Sequence, residues 1–340
     1  MRDESGWWGI MGPIPSPNPT GIIAVAHDRS ATLDREYQIG PLRIRPGGNR
    51  LTEYVRSEPM ALDGVTLFET WPVIAEGPWP GVAVQTDPDY QRLQSLPNQD
   101  ANERVVAIWL HRVTSLLSLA VGEAWQVRTA AIDRSTRPPT VPEDWPPPDI
   151  WWRGEEGLDP VPRGLPDWVV PAWDFLTADE KLRAALTVWH QGLLLEPLFP
   201  SFAMVAYCGT IETIAHSDAM KERITFNVES CGECGNVPKA QARFWATVGL
   251  VKSSTEIEEL KKTVNPYGRR SRTAHGSATH GIESMFGSMH YTVFAPPSPG
   301  QPATLKMDQQ DETQMFMWRD VPMVRAIGAD LLRLALASNA

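Results

Sequence analysis

The sequence predicts a mainly α protein with a small β-containing region near its N-terminus, and three observations carry that expectation. Apolar residues recur at three- and four-residue spacing through 102–121 and through much of 167–337, as amphipathic helices require. Short apolar runs bounded by turn residues are concentrated in residues 1–100. Between these regions, Pro138, Pro139, Pro142, Pro146, Pro147 and Pro148 can supply neither a helix nor a sheet interior. The chain therefore divides into an N-terminal region (1–128), a Pro/Trp-rich linker (129–166) and a helical bundle (167–340).

The N-terminal region is expected to hold strands at 21–26, 42–45, 65–70 and 81–85. Leu42-Arg43-Ile44-Arg45 alternates at period two, as a half-buried strand does. Trp7, Trp8, Trp71 and Trp79 could stack on bases, although such tryptophans also fill irregular cores. The 102–121 helix carries Val105, Val106, Trp109, Leu110, Val113, Leu116, Leu117 and Ala120 on its apolar side, and Gly122 ends it. Trp145, Trp151 and Trp152 suggest that the linker lies against a surface.

Helices are predicted over 167–175 and 178–195, with Thr177 as an N-cap. Pro197 and Pro200 break the pattern. Ser201 would then cap a helix running to about 221, buried along Met204, Val205, Cys208, Ile211, Thr213 and Ile214. Further helices are expected at 239–251, 256–264 and 320–337. Helices of this length joined by short loops make a bundle.

Composition and charge narrow the function classes. The 340 residues are 42% hydrophobic and 21% charged, with a formal charge of -10, which excludes a general electrostatic binder of nucleic acid or membranes. Any RNA contact must come from a local patch. Lys261, Lys262, Arg269, Arg270 and Arg272 form one with no acidic residue between them, beside Tyr267; the alternative is a solvated helix end. The N-terminus has no apolar signal core, and no run approaches the roughly 18 apolar residues of a membrane span. Three cysteines, an odd number, argue against a secreted disulfide framework, so the expected setting is the cytoplasm, away from membranes.

Cys231-Gly-Glu-Cys234 has the spacing of half a zinc knuckle. Cys208, His216, His280, His290 or a second copy of the chain could complete four ligands; the alternative is a tight turn with two free thiols. There is no Walker loop, no Gly-x-Gly-x-x-Gly after a strand, no Gly-x-Ser-x-Gly and no His-Glu-x-x-His, and no cofactor is expected.

Residues 267–276 carry most of the chemistry. Arg270 offers a permanent cation and a fork of donors suited to phosphate, and His275 can hold or take a proton near neutral pH. Asn265 suits an N-cap, Pro266 the first helical position, and Gly276 the residue past a helix end. In a helix Ser271 and His275 stand one turn apart on one face, whereas Arg270 lies about 140° around the axis from His275. One copy supplies one base, one cation and one hydroxyl. Two copies across a two-fold axis would make a paired site.

Tyr267-x-x-Arg270-Ser271-x-x-x-His275-Gly276, following a helix inside a small bundle, resembles the signature of the HEPN superfamily (higher eukaryotes and prokaryotes nucleotide-binding domain), of the Apea-like type. Cys208-Gly-Thr-Ile-Glu212 is similar to the upstream helix with a buried glutamate, and Arg243-Phe244 to the Arg-Phe pair preceding the motif. The resemblance covers roughly 170–340.

It implies a usually dimeric bundle of four or five helices. Many members are metal-independent endoribonucleases of defence, toxin–antitoxin or RNA-processing systems; others bind nucleotides or partner proteins without catalysis. By this resemblance, Arg270 would contact the scissile phosphate and His275 would orient or deprotonate the 2′-hydroxyl. Ser271 would fill a position where active members carry a polar residue, often Asn, Asp or His. Glu212 would orient Arg270. A homodimer, an RNA substrate and an antitoxin or defence-system partner follow as expectations.

Overall fold

The computed structural model describes residues 6–13, 31–46, 51–56, 65–70, 73–78, 98–122, 124–127, 132–133, 161–196, 199–226, 239–276, 278–281 and 315–337. They are mainly helical. The chain forms two compact units, Met1–Trp173 and Asp174–Ala340.

The first unit is built on a six-stranded antiparallel sheet. Its strands are β1 (Gly6–Pro13), β3 (Tyr37–Ile39), β4 (Leu42–Pro46), β7 (Val73–Pro78), β8 (Trp125–Val127) and β9 (Ile132–Asp133). The order is β3-β4-β7-β1-β8, with β9 also on β1. Tyr37, Ile39, Leu42 and Ile44 are buried while Gln38 and Arg43 face solvent, which is the period-two pattern visible in the sequence. β2 (Ala31–Leu33) pairs in parallel with β10 (Val161–Arg163), and β5 (Leu51–Arg56) pairs antiparallel with β6 (Val65–Thr70). The predicted strands at 42–45 and 65–70 are therefore present. Those at 21–26 and 81–85 lie outside the described residues, as do Trp71, Trp79, Trp145, Trp151, Trp152 and most of the 129–166 segment. Trp7 and Trp8 lie on β1.

Helix α1 (Asn98–Val121) starts four residues earlier than the periodicity predicts and ends at Gly122 in the left-handed region, φ 84°. Residues 112–119 are buried on every side. The small polar residues there satisfy themselves on the helix backbone: Thr114 and Ser115 donate to the His111 carbonyl at 2.9 and 2.7 Å, and Ser118 to Thr114 at 2.7 Å. By length and composition α1 could cross a membrane, yet 67% of its Arg104–Val121 window is buried, as in the core helix of a globular unit. Helix α2 (Val169–Ala178) spans the junction between units. In the first unit its Trp173 ring lies over Gly40, where an added Cβ would approach the indole to 2.3 Å.

The second unit is a bundle around a buried helix, α4 (Pro200–Ile214). Packed against it are α3 (Glu180–Leu195), α5 (Lys239–Val248), α7 (Pro266–Ala274) and α8 (Val321–Ala337); α6 (Ser254–Thr263) leads into α7. Gly192 of α3 allows the close approach of α4, because a Cβ there would meet the Tyr207 ring at 2.5 Å. The Tyr207 hydroxyl donates to Glu196, whose other oxygen accepts from Arg325 at 2.9 Å, tying α3, α4 and α8 together. Burial first, and the Glu196 carboxylate second, push the Tyr207 hydroxyl's pKa well above its ordinary value.

Several further boundaries differ from the sequence expectation. Asp179, not Thr177, caps α3: its Oδ1 accepts from the Leu182 amide at 2.9 Å. Ser201 is not a cap, because Pro200 takes the first helical position and leaves Phe199 at the cap. The Ser201 hydroxyl instead accepts from the amides of His280 and Gly281, holding the 278–281 segment. Finally, α4 stops at Ile214 instead of reaching 221. The Ser217 hydroxyl donates to the Ile214 carbonyl at 2.8 Å, and Asp179 accepts from the Ala219 amide at 3.3 Å. These bonds turn the chain early and place His216 beside α5.

Candidate functional site

Helix α7 is framed by local chemistry. Asn265, at φ 44°, accepts from the Gly268 amide at 3.2 Å, and Pro266 begins the helix. His275 is the C-cap, its amide donating to the Ser271 carbonyl at 3.1 Å, and Gly276 follows at φ 69°. Upstream, Ser253 and Glu256 form a capping box that starts α6. The Ser253 amide holds the Glu256 carboxyl below the usual carboxylate range.

The two consecutive arginines of α7 have different partners. Arg270 meets Glu212 of α4, Nη2 to Oε2 at 2.6 Å, with 28% and 25% of the two side chains exposed. Its guanidinium sits 5.9 Å from the Tyr267 ring centroid. Its Nε is buried and makes no hydrogen bond among the described residues. Arg269 meets Asp320 at 2.7 Å, where the carboxylate is fully buried, and lies over the Phe316 ring at 5.0 Å. Arg319 binds the other oxygen of Asp320 at 2.7 Å. A single turn of π-helix, Phe316–Asp320, carries this carboxylate at the start of α8.

An open cleft of about 720 Å³ lies between α3, α4, α5 and α7. Lys181, Glu212, His216, Arg243, Tyr267 and Arg270 are among the residues that line it. The Arg243 guanidinium approaches His216, Nη1 to Nε2 at 2.7 Å. Arg243 also stacks on Phe226 at 5.4 Å. Phe244 and Tyr267 meet edge to face at 5.4 Å, forming an apolar wall.

The structure thus brings Tyr267, Arg270 and Glu212 to one cleft. Ser271 is half-buried and His275 exposed, and neither lines it. Of the predicted basic patch, Arg269 is turned into its buried pair. Lys261 pairs with Glu258 at 2.7 Å and lies over Trp245, while Lys262 and Arg272 are exposed. Cys231, Cys234 and His290 lie outside the described residues. Cys208 is buried, its thiol donating to the Pro266 carbonyl at 3.7 Å. Burial, and then the Glu212 carboxylate, push that thiol's pKa well up against the opposing pull of Arg270. Among the described residues no group of three or more His, Cys, Asp or Glu side chains could hold a metal.

Sequence reasoning did not assemble Lys181, His216 and Arg243. They come from three elements and share no spacing; the early stop of α4 brings His216 into place. No protein-family model matches the chain, and no curated protein or solved structure shows significant similarity to it.

Proposed function

We propose that this chain is a HEPN-type, metal-independent endoribonuclease that cleaves single-stranded RNA in the cytoplasm, at a site paired across a homodimer. The observation that carries this reading is Arg270, held by Glu212 at the edge of an open cleft, on the same short helix that ends at His275. Glu212 fixes the guanidinium without burying it, leaving other donors to meet a phosphate. His275 takes the proton of a ribose 2′-hydroxyl as that oxygen attacks the adjacent phosphorus. The 5′-oxygen leaves with a proton, giving a 2′,3′-cyclic phosphate and a 5′-hydroxyl. Arg270 stabilises the charge that builds on the phosphoryl oxygens, and Ser271 offers a hydroxyl beside them. His275 lies outside the cleft that Arg270 lines, so a second copy supplies the facing groups. A role in bacterial defence or stress response, with an antitoxin or second defence protein as partner, rests on the family resemblance alone.

The test is incubation of the pure protein with single-stranded RNA in EDTA, beside Arg270→Ala and His275→Ala. Cleavage with cyclic-phosphate ends is expected for the wild type. A loss of about 10²-fold or more is expected for each variant. Intact RNA in all three removes the nuclease reading, and a strict monomer by light scattering removes the paired site. The second reading is a non-catalytic HEPN module that binds nucleotide, RNA or a partner protein as a sensor or scaffold. Ser271 favours it, because by the resemblance active members often carry Asn, Asp or His at this position and serine offers no group that titrates near neutral pH.

A further inference from the structure

We infer that Asp320 is a positioning residue for Arg270: acting through Arg269, it sets the rotation of α7 and so the aim of the next arginine into the cleft. The argument begins with how little apolar packing holds this helix. Of its nine residues only Pro266 and Thr273 are buried. Hydrophobic burial is non-directional in any case and leaves the rotation of so polar a helix poorly defined. Its other ties are polar. The Cys208 thiol reaches the Pro266 carbonyl at 3.7 Å, at the start of α7. The Thr273 hydroxyl donates to the Ala278 carbonyl at 3.0 Å, just past its end. In the middle turn, Arg269 ties α7 to the start of α8 and Arg270 ties it to α4.

These two ties differ in stiffness. The Asp320 carboxylate has no solvent exposure and holds Arg269 on one oxygen and Arg319 on the other, both at 2.7 Å. Arg269 also lies on the Phe316 ring at 5.0 Å. Both Phe316 and Asp320 belong to the π-turn, which the Val321 amide closes on the Phe316 carbonyl. Single π-turns of this kind recur at functional sites. The Arg270–Glu212 tie is one contact of 2.6 Å between half-exposed groups, and Arg270 Nε makes no hydrogen bond among the described residues. A contact like that follows the helix; the sealed one holds it. At the outer radius of a helix, about 6 Å from its axis, a roll of about 20° moves a side chain by about 2 Å. A misplacement of about 1 Å can already cost about 10²-fold in rate. Removing the Asp320 pin therefore turns Arg270 off its aim even where the bundle stays folded.

The test uses the full chain carrying Arg269→Met with Asp320→Leu, which replaces the directed pair by non-directional packing. A purely structural role predicts that function returns with stability; positioning predicts that it does not. The first readout is the Arg270 Nε–Hε NMR cross-peak in isotope-labelled protein, assigned by its loss in Arg270→Lys. Glu212→Gln shows where that peak goes when Arg270 is released. The Arg183 peak is the reference, its guanidinium being held by the Leu176 carbonyl at 2.7 Å. The double variant should move the Arg270 peak toward its Glu212→Gln position and leave the Arg183 peak in place. The second readout rests on the nuclease reading: kcat for single-stranded RNA in EDTA should fall about ten-fold with KM unchanged. A wild-type Arg270 peak, or wild-type kcat, in the folded double variant overturns the inference. If the wild type cleaves no RNA, the nuclease reading fails and the cross-peak decides alone. If the double variant does not fold, Asp320→Asn, which keeps the shape of the side chain, is read in the same two ways.

Discussion

Arg269 and Arg270 are neighbours in sequence, yet they make opposite kinds of ion pair. Arg269 reaches a carboxylate with no solvent exposure and is itself 18% exposed; Arg270 reaches one that keeps a quarter of its surface in water. Successive residues on a helix point about 100° apart, so one faces the α8 side and the other faces α4 and the cleft. The first pair is sealed, with a second arginine and an aromatic face completing its shell. Any motion there would strand a charge away from water. The second is open, and a ligand can compete for its donors. Identical chemistry thus serves architecture on one side of α7 and a candidate site on the other.

The largest effect should come from breaking the sealed pair. Asp320→Ala leaves Arg269 partly buried without its carboxylate and should cost about 3–5 kcal/mol, measured by urea denaturation. The double variant Arg269→Met with Asp320→Leu should recover much of that loss, because it removes the unpaired charge as well. If Asp320→Ala unfolds at the wild-type midpoint, the sealed pair has no architectural weight and the contrast fails.

A smaller stability effect is expected on the open side. Glu212→Gln should change stability by about 1 kcal/mol or less, since both partners are in contact with water. Under the proposed nuclease reading its consequence should appear instead in RNA cleavage, lowered by about ten-fold as the Arg270 guanidinium loses its fixed orientation. A Glu212→Gln protein as destabilised as Asp320→Ala would show that the two pairs are equivalent.

Much of the frame behind this contrast was legible in the sequence. Asn265, Pro266 and Gly276 bound α7 through local backbone chemistry, which a short stretch of residues contains in full. The periodic apolar face of α1 is legible for the same reason. The capping box at Ser253 and Glu256 was also there to be read, as Ser-x-x-Glu, and it starts α6 two residues before the expected position. The fate of Arg269 was not legible. Its partner is 51 residues away, and nothing local distinguishes a cation that will be buried from one that will stay in the basic patch. The meeting of His216 with Arg243 was hidden similarly, because it depends on where α4 stops, and that depends on Ser217 and Asp179 acting across the fold.

The smallest expected effect tests how shallow the open pair is. Cys208 lies behind it on α4, fully buried, with its thiol's pKa raised chiefly by burial and secondarily by Glu212. In a chain carrying Cys231→Ser and Cys234→Ser, Cys208 should resist an aromatic disulfide reagent at pH 8 under native conditions and react fully in denaturant. Adding Glu212→Gln should leave that native protection in place, because access to the thiol requires the α4–α7 packing to open and the open pair contributes little to it. Adding Asp320→Ala should speed labelling, since loss of the sealed pair lowers the cost of opening the bundle. Equal acceleration by both substitutions would mean that the cleft and the buried α8 side open together, and that the division drawn between them along α7 does not hold.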